Sequence, residues 1–488
     1  MNFSIPKEIR EVTEKLEEAG FSAYIVGGCV RDLIIGREPR DWDITTNATP
    51  EEIIPIFPKT FYENTFGTVG VVNEEAENEV LKVVEVTPYR LEGEYTDNRH
   101  PDIVTFSQKI EDDLQRRDFT INALAYSPSK KEFIDFYNGQ DDIKDKIIRT
   151  VGDPVARFAE DGLRILRAVR FSSELGFEIE GETEKAILEY SHLLKNISKE
   201  RIRDEFSKIV MSSQPMYGLQ TLKKLGLLSY IIPELENTVG VEQGGAHSYD
   251  VWEHLLRSLQ GSADKNYELE LRLAALFHDI SKPESRRKGE GSKEWTFYGH
   301  EVLGARLTKK ILENLKYPTK IIEKVVKMIR WHMFFSDTEQ ISLSAVRRMI
   351  VNVGRENIWD LMNLRICDRI GTGRPKEDPY RLRKYHAMIE EALRDPISVG
   401  MLKIDGKKIM ETTGIAPGPK IGFTLHALLE EVLEDPTKNT EEYMEKRAKE
   451  LIDLPIEELK ALGESGKQSK EEADEEEIKK IRSSHKVR

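Results

Sequence analysis

The spacing of apolar residues changes character near residue 150, and that change limits the fold more than any single motif. Before it, β-branched runs at 23–26, 69–72, 80–86 and 103–106 alternate with polar turns and helical stretches. After Asp153 the period is helical: Phe158, Ile165 and Val169 share one stripe, and 183–212, 215–227 and 250–335 behave alike. The pattern predicts an α+β chain, with a small mixed β-sheet and helices first and an elongated all-α remainder after it. Pro, Gly and Ser gather at 231–248, 285–299, 371–379 and 414–422, the candidate breaks. The stretch 464–488 is charged throughout and reads as a solvated helix or a disordered tail.

Composition narrows the class. At roughly 150 residues per domain, 488 residues make about three units. Lys and Arg number 73 against 87 Asp and Glu, a net charge of −14, so a nucleic-acid partner must be met by local basic surface. Histone-like or coat-like binding is excluded. Cys29 and Cys367 are too few for a disulfide framework or a Cys-based zinc finger. There is no basic stretch followed by an apolar leader, and no apolar run nears the roughly 18 to 20 residues that span a bilayer. The expectation is a cytoplasmic protein without a membrane partner; the sequence sets no oligomeric state.

The first cluster of chemistry lies at 24–45. A strand is followed by Gly27 and Gly28, a helix start, and then Asp41, Trp42 and Asp43 in a second strand. The glycines allow the backbone to approach a phosphate chain closely, and the helix start offers free N–H groups. With a side-chain period of two, Asp41 and Asp43 share a face and Trp42 takes the other. Two neighbouring carboxylates repel unless a cation separates them, and all-oxygen ligands favour Mg²⁺. Glu85, in a further strand, is available either as a third carboxylate that activates a hydroxyl or as a surface glutamate.

These residues, joined to Arg116, Arg117, Asp118 and Asn122, then to the motifs at 135–143, 157–171 and 198–202, resemble the bacterial class II tRNA nucleotidyltransferase and poly(A) polymerase family. Five motifs stand in the family's order. The resemblance implies a nucleotidyltransferase head at 1–145 and a helical neck at 146–235. It implies Mg²⁺ held by Asp41 and Asp43, while Glu85 stays open between a base, a further ligand of a two-metal site and a surface glutamate. Gly27, Gly28, Arg31, Arg116, Arg117, Asp118, Asn122, Asp161, Arg164, Arg167 and Arg170 would bind the nucleotide. The implied partners are tRNA, CTP and ATP, and the implied reaction is template-independent addition of CCA with release of pyrophosphate.

On a continuous helix at 157–170, Arg157, Glu160, Asp161 and Arg164 fall on one face. Alone, that face is a salt-bridge ladder. Within the family resemblance it becomes a protein template: Asp161 accepts and Arg164 donates, matching the amino donor and ring-nitrogen acceptor of cytosine and adenine but not the edges of uracil or guanine. The polar segment with Tyr95, Asp97, Arg99 and His100 is similar to the flexible loop of members that add all three nucleotides.

A second cluster comprises His254, the adjacent His278 and Asp279, and Asp368, on separate helical segments. Imidazoles and carboxylates converging in this way can hold a divalent transition metal and acidify a water for attack on a phosphoester. The set resembles the HD phosphohydrolase superfamily, with His300 and His332 available as further ligands, phosphate contacts or structural histidines. The resemblance implies an HD domain at 236–395, a helical C-terminal tRNA-binding region at 396–463 and a charged tail at 464–488. Rival readings are a poly(A) polymerase, a CC-only or A-only enzyme, an HD phosphohydrolase whose head only binds nucleotide, and a non-catalytic tRNA-binding module.

Overall fold

The structure, a computed structural model, describes residues 3–62, 67–93, 104–244, 248–288, 295–334, 341–373 and 377–463. Tyr95, Asp97, Arg99 and His100, and the charged stretch 464–488, lie outside the described residues. The chain divides into two compact units, Met1–Ile231 and Ile232–Arg488.

In the first unit, α1 (Lys7–Glu18) buries Ile9, Val12 and Leu16 and packs on β1 (Ala23–Val26). Gly27 follows with φ +84, a conformation that a side chain would strain, and the chain turns into α2 (Gly28–Ile34). Next come β2 (Asp43–Thr46), α3 (Pro50–Ile53), β3 (Thr60–Tyr62), β4 (Val69–Val72) and β5 (Val83–Pro88). β6 (Arg90–Glu92) and β7 (Val104–Phe106) pair as a separate ribbon. After α4 (Ile110–Gln115), β8 (Leu124–Ser127) and β9 (Glu132–Asp135) complete a seven-stranded sheet of order β3-β4-β5-β2-β1-β8-β9. It is a mixed sheet, because β2 and β5 are parallel while the other pairs are antiparallel.

Two strand expectations shift. The run at 80–86 becomes a strand only from Val83, because the Asn78 side chain accepts from Val80 N and starts a 3-10 turn over Glu79–Leu81. Asp41 and Trp42 precede β2 rather than lying in it. β1 ends at Val26 and turns away at Gly27, so the segment before Asp43 has no partner strand on that side. The alternation survives nonetheless: Trp42 is buried while Asp41 is exposed.

The helical part of this unit begins with α5 (Gly139–Asp145). β10 (Ile147–Ile148) pairs in parallel with β11 (Glu178–Ile179), and between them run α6 (Pro154–Glu160) and α7 (Leu163–Leu175). α8 (Gly181–Tyr190), α9 (Lys199–Met211), α10 (Pro215–Lys224) and α11 (Leu228–Ile231) follow. The continuous helix expected at 157–170 is therefore broken. Asp161 is extended (φ −144), its Oδ1 accepts from Leu163 N at 3.0 Å, and its carbonyl accepts from Arg164 N at 3.0 Å. Asp followed by Gly is a weak helix interior but a strong helix start, so the pair ends one helix and starts the next. The apolar stripe holds: Phe158, Ile165 and Val169 are fully buried, each contributing roughly 1.5–3 kcal/mol.

The second unit is helical apart from one short hairpin among its described residues. α12 (Val251–Asp264), α13 (Leu269–Phe277) and α14 (Lys282–Ser285) lead to β12 (Arg287–Lys288) and β13 (Trp295–Thr296). α15 (His300–Asn314), α16 (Thr319–Trp331), α17 (Leu343–Val353) and α18 (Ile358–Gly371) follow, then α19 (Tyr380–Ala392), α20 (Gly406–Thr413), α21 (Pro419–Glu434) and α22 (Glu441–Ile452). Ile350, Met362, Tyr385 and Ile389 centre one apolar cluster, and Ile409, Leu428, Met444 and Leu451 another. α12 and α18 meet backbone to backbone. A Cβ on Gly371 would lie 2.1 Å from Ser258 Oγ and 2.6 Å from the His254 carbonyl, and one on Gly261 would lie 2.9 Å from Ile370 Cδ1. Two glycines thus bring Asp368 down onto His254.

Candidate active sites

In the head, the parallel register of β2 and β5 sets Asp43 directly beside Glu85, with Ile44 beside Val86 one residue on. Ile44 and Val86 are buried, so by strand alternation the two carboxylates occupy the opposite face. Burial pushes Asp43 up to about 6, against the pull of Arg117 and with the help of Asp41. Among the described residues, Asp41, Asp43 and Glu85 do not gather into a tight three-residue donor set. Their oxygen-only chemistry fits a hard divalent cation, and positive charge beside Asp43 would favour its ionised form.

Gly27 borders the Arg117 guanidinium. A Cβ there would lie 2.8 Å from Arg117 Nη1 and 3.8 Å from Asp43 Oδ2, so the room beside it holds a guanidinium. At Gly28 the nearest group is Arg31 Nη2, at 3.6 Å from such an atom. Arg31 and Arg167 are joined by one chain of contacts. Arg31 Nη1 donates to Asn122 Oδ1 (2.7 Å), Asn122 Nδ2 donates to Asp118 Oδ1 (3.0 Å), and Arg167 Nε donates to Asp118 Oδ2 (2.7 Å). Burial would raise Asp118, but Arg167 and Asn122 hold it well below the usual carboxylate range. Arg170 lies over the Phe171 ring at 4.0 Å and donates to buried Glu205 at 3.1 Å.

Asp161 and Arg164 are held by different partners. Arg201 grips Asp161 with two bonds, Nη2 to Oδ2 at 2.6 Å and Nη1 to Oδ1 at 3.2 Å. Arg164 pairs with Glu160 and donates to the carbonyls of Arg157 and Arg116, both at 3.1 Å. A carboxylate has about four lone-pair sites, so Asp161 keeps acceptor capacity beyond Arg201. Arg201 lies in the motif at 198–202, yet nothing in the sequence spacing points to its contact with Asp161.

In the second unit, the expected four residues converge from three places: His254 on α12, His278 and Asp279 just after α13, and Asp368 on α18. His254 Nε2 lies 3.0 Å from His278 Nε2, 3.0 Å from Asp279 Oδ2 and 3.5 Å from Asp368 Oδ1. A second set shares Asp279: His300 Nε2 lies 3.1 Å and His332 Nε2 3.6 Å from Asp279 Oδ1, with 3.3 Å between the two rings. In each of the two sets the ligand atoms all lie within 4.8 Å of one another. The structure thus gathers His300 and His332, left open by the sequence, into the same centre.

The ring orientations suit a cation. Nδ1 of His278, His300 and His332 faces the carbonyl of Ala275, Phe297 and Ile329 at 2.9, 2.6 and 2.7 Å. A backbone carbonyl only accepts, so Nδ1 carries a proton in each ring and Nε2 is the atom turned to the centre, a lone-pair donor to a cation once it is deprotonated. Lone pairs and carboxylates facing one another need positive charge among them. Burial would lower His278, but Asp279 and Asp368 push it up to about 10, while Asp279 itself is held well below the usual range by Lys282 and His278 despite its burial. Lys282, absent from the sequence-derived set, places Nζ 2.5 Å from Asp279 Oδ2 and 2.6 Å from Gln243 Oε1. A cavity of about 450 Å³ opens on the centre, lined also by Trp295, Tyr298, Arg365 and Arg369.

Three family models match in order along the chain: the Poly A polymerase head domain at 23–149, the probable RNA and SrmB-binding site of polymerase A at 176–238, and the HD domain at 246–370. Nucleotidyltransferase and HD domains typically use divalent cations, and the groups described above are suited to them. A CCA-adding enzyme of Geobacillus thermodenitrificans is 32% identical over 440 residues, 88% of this chain and 93% of that protein. One of Lactobacillus helveticus is 32% identical over 441 residues, 90% of this chain and 96% of that protein. Among solved structures, the Bacillus stearothermophilus CCA-adding enzyme in complex with CTP is 28% identical, with a TM-score of 0.69 over 91% of this chain and 96% of that one. The Thermotoga maritima CCA-adding enzyme complexed with tRNA, 21% identical with a TM-score of 0.52 over 91% of this chain and 94% of that one, shares the fold. With 32% identity carried along nearly the whole length of such relatives, and with the head, RNA-binding and HD models matched one after another on this chain, the chain belongs to the CCA-adding enzymes, a family of nucleotidyltransferases.

Proposed function

We propose that this protein adds C, C and A to the 3′ end of tRNA, taking CMP from CTP and AMP from ATP and releasing pyrophosphate. The observation that supports this reading best is the placement of Asp43 beside Glu85 in the parallel register of β2 and β5, next to the turn where Arg117 meets Gly27. Asp41 and Asp43 would hold Mg²⁺, which when bound supplies charge for the triphosphate and acidifies the attacking hydroxyl. Glu85 would take the proton of the tRNA 3′-hydroxyl. Arg31, Arg116, Arg117 and Arg167 would neutralise and orient the triphosphate and sugar, supported by Asp118 and Asn122. Asp161 and Arg164 would read the base edge, with Arg201 fixing the Asp161 carboxylate.

We assign 1–145 as the head, 146–235 as the neck, 236–395 as the HD domain, 396–463 as the tRNA-binding region and 464–488 as a charged tail. The HD centre would hold a divalent transition metal and hydrolyse a phosphoester. No helix among the described residues is long and apolar enough to cross a membrane, and we place the protein in the cytoplasm with its tRNA.

The test is incorporation into a tRNA lacking CCA, with Mg²⁺ and labelled CTP and ATP, separately and together. Three defined additions support the reading. A long A tract would indicate a poly(A) polymerase, additions that stop at CC or require a CC end would indicate a partial enzyme, and no incorporation would leave only the HD chemistry.

Two further results are expected at the head. With Arg201→Gln, Asp161 loses its two-bond grip, and the preference for CTP over UTP should fall about tenfold, or ~1.4 kcal/mol, in competition assays; an unchanged preference would remove Arg201 from base selection. Asp43 sits near 6 without a cation, raised above its ordinary value. Below that pH the proton opposes metal, so Mg²⁺ affinity should fall about tenfold per pH unit below about 6 and level off above about 7. A flat profile across that range in calorimetric titrations would contradict the assignment.

A further inference from the structure

We propose that Asp113 is a positioning residue for nucleotide binding, setting the two guanidiniums of Arg116 and Arg117 before any triphosphate arrives. This rests on the reading of those two arginines as phosphate-binding.

Asp113 stands in the last turn of α4 and is fully buried. Its Oδ1 accepts from Arg116 Nε at 3.0 Å and Nη2 at 2.6 Å, and its Oδ2 accepts from Arg117 Nη2 at 3.1 Å. One carboxylate therefore fixes two neighbouring cations that would otherwise repel each other. Burial would raise Asp113, but Arg116 and Arg117 outweigh it and keep the group ionised. With both oxygens committed and no exposed surface, Asp113 acts through the arginines and does not touch the substrate.

What is fixed is the aim of Arg117. Nη2 is on Asp113, Nη1 reaches the space beside Gly27 next to Asp43, and Nε is buried with no hydrogen-bond partner. The guanidinium thus fills the gap between the glycine turn and the Asp43 carboxylate. A planar group held along one edge delivers its other donors in a set direction without losing further rotamer freedom on binding. The same turn of chain is tied to the base-reading side: Arg157 Nη1 donates to the Gln115 carbonyl at 3.2 Å and Arg164 Nη2 to the Arg116 carbonyl at 3.1 Å. Asp113 thus lies in a turn that joins residues assigned to the phosphates with one assigned to the base.

The experiment measures dissociation constants of CTP, CDP and CMP for the full-length wild type, Asp113→Asn, Arg116→Gln, Arg117→Gln and the pairs Asp113→Asn/Arg116→Gln and Asp113→Asn/Arg117→Gln, each checked for an intact thermal transition. Asp113→Asn should weaken CTP about tenfold, CDP less and CMP least. In the Arg117→Gln background the same change should have less than half the effect, in logarithmic terms, that it has alone. If Asp113→Asn does not fold, Arg116→Gln and Asp113→Asn/Arg116→Gln give the comparison, since the pair keeps the local charge balance. A loss equal for all three nucleotides, or effects that add fully in the pairs, would overturn the proposal. Arginine variants that leave CTP affinity intact would instead refute the phosphate-binding reading on which it stands.

Discussion

Asp43→Asn should abolish nucleotide incorporation while making the cation-free protein more resistant to heat. The variant keeps the shape of the side chain and removes its charge. Burial and Asp41 raise Asp43 to about 6, so near neutral pH the folded protein holds a carboxylate that it would rather protonate. The sign follows from the direction of the shift. A folded pKa above the unfolded value gives stability below the unfolded value, and that stability is lost as pH rises through about 6. At neutral pH the ionised group is therefore a liability that asparagine removes. The same charge is what the cation needs, so kcat should drop at least about a thousandfold, or ~4 kcal/mol of transition-state stabilisation. CTP affinity measured without Mg²⁺ should change little, because the arginine network is untouched. Adding Mg²⁺ should raise the melting temperature of the wild type and not of the variant. Retained incorporation, or a variant that melts lower and still responds to Mg²⁺, would remove Asp43 from the cation site.

The carboxylates of the head were legible because strand alternation is local: Trp42 buried between an exposed Asp41 and a half-buried Asp43 follows from two-residue periodicity even where no strand forms. Their pairing with Glu85 depends on a parallel register between segments separated in sequence, which no periodicity encodes. The helix proposed to read the base shows the opposite failure. A period of 3.6 residues put Arg157, Glu160, Asp161 and Arg164 on one face, but the period assumes an unbroken helix, and the Asp161–Gly162 step breaks it. The signal was present in the sequence, since Asp before Gly is a helix-start pattern, and the even spacing of apolar residues on either side masked it. Asp113 and Arg201 were missed for a different reason. Each matters through a partner that long-range packing or a tight turn brings to it, and an acidic or basic residue on a short helix looks the same in sequence whether it is solvated or buried. In the second unit the four expected residues met, because two of them, His254 and Asp368, sit on helices whose apolar stripes fix which way they face, and the other two follow directly on a third helix. The approach itself depends on Gly261 and Gly371, glycines inside helical runs that sequence alone reads only as mild helix breakers.

That packing makes Asp279 the residue on which the whole second centre turns. Its Oδ2 faces His254, and its Oδ1 faces His300 and His332. The two donor sets have no other member in common. Asp279→Ala should therefore remove every bound transition-metal ion, whereas His254→Ala and His332→Ala should each remove about half, as read by elemental mass spectrometry of protein purified with that metal present. The chelator response should follow. A ligand that binds only the folded state at a hundred times its dissociation constant stabilises by about 2.7 kcal/mol, so chelation should lower the wild-type melting temperature by several degrees and leave Asp279→Ala unmoved. Acidity should act in the same sense. His278 is held up to about 10 without metal, so a proton must leave its Nε2 for a cation to enter, and the affinity of the wild type should rise about tenfold per pH unit through neutrality. Incorporation of CMP and AMP should persist in Asp279→Ala, since the proposed head chemistry draws on none of these ligands. Full metal content in Asp279→Ala would show that the ions sit elsewhere, and equal losses from all three variants would show one site rather than two sharing a carboxylate.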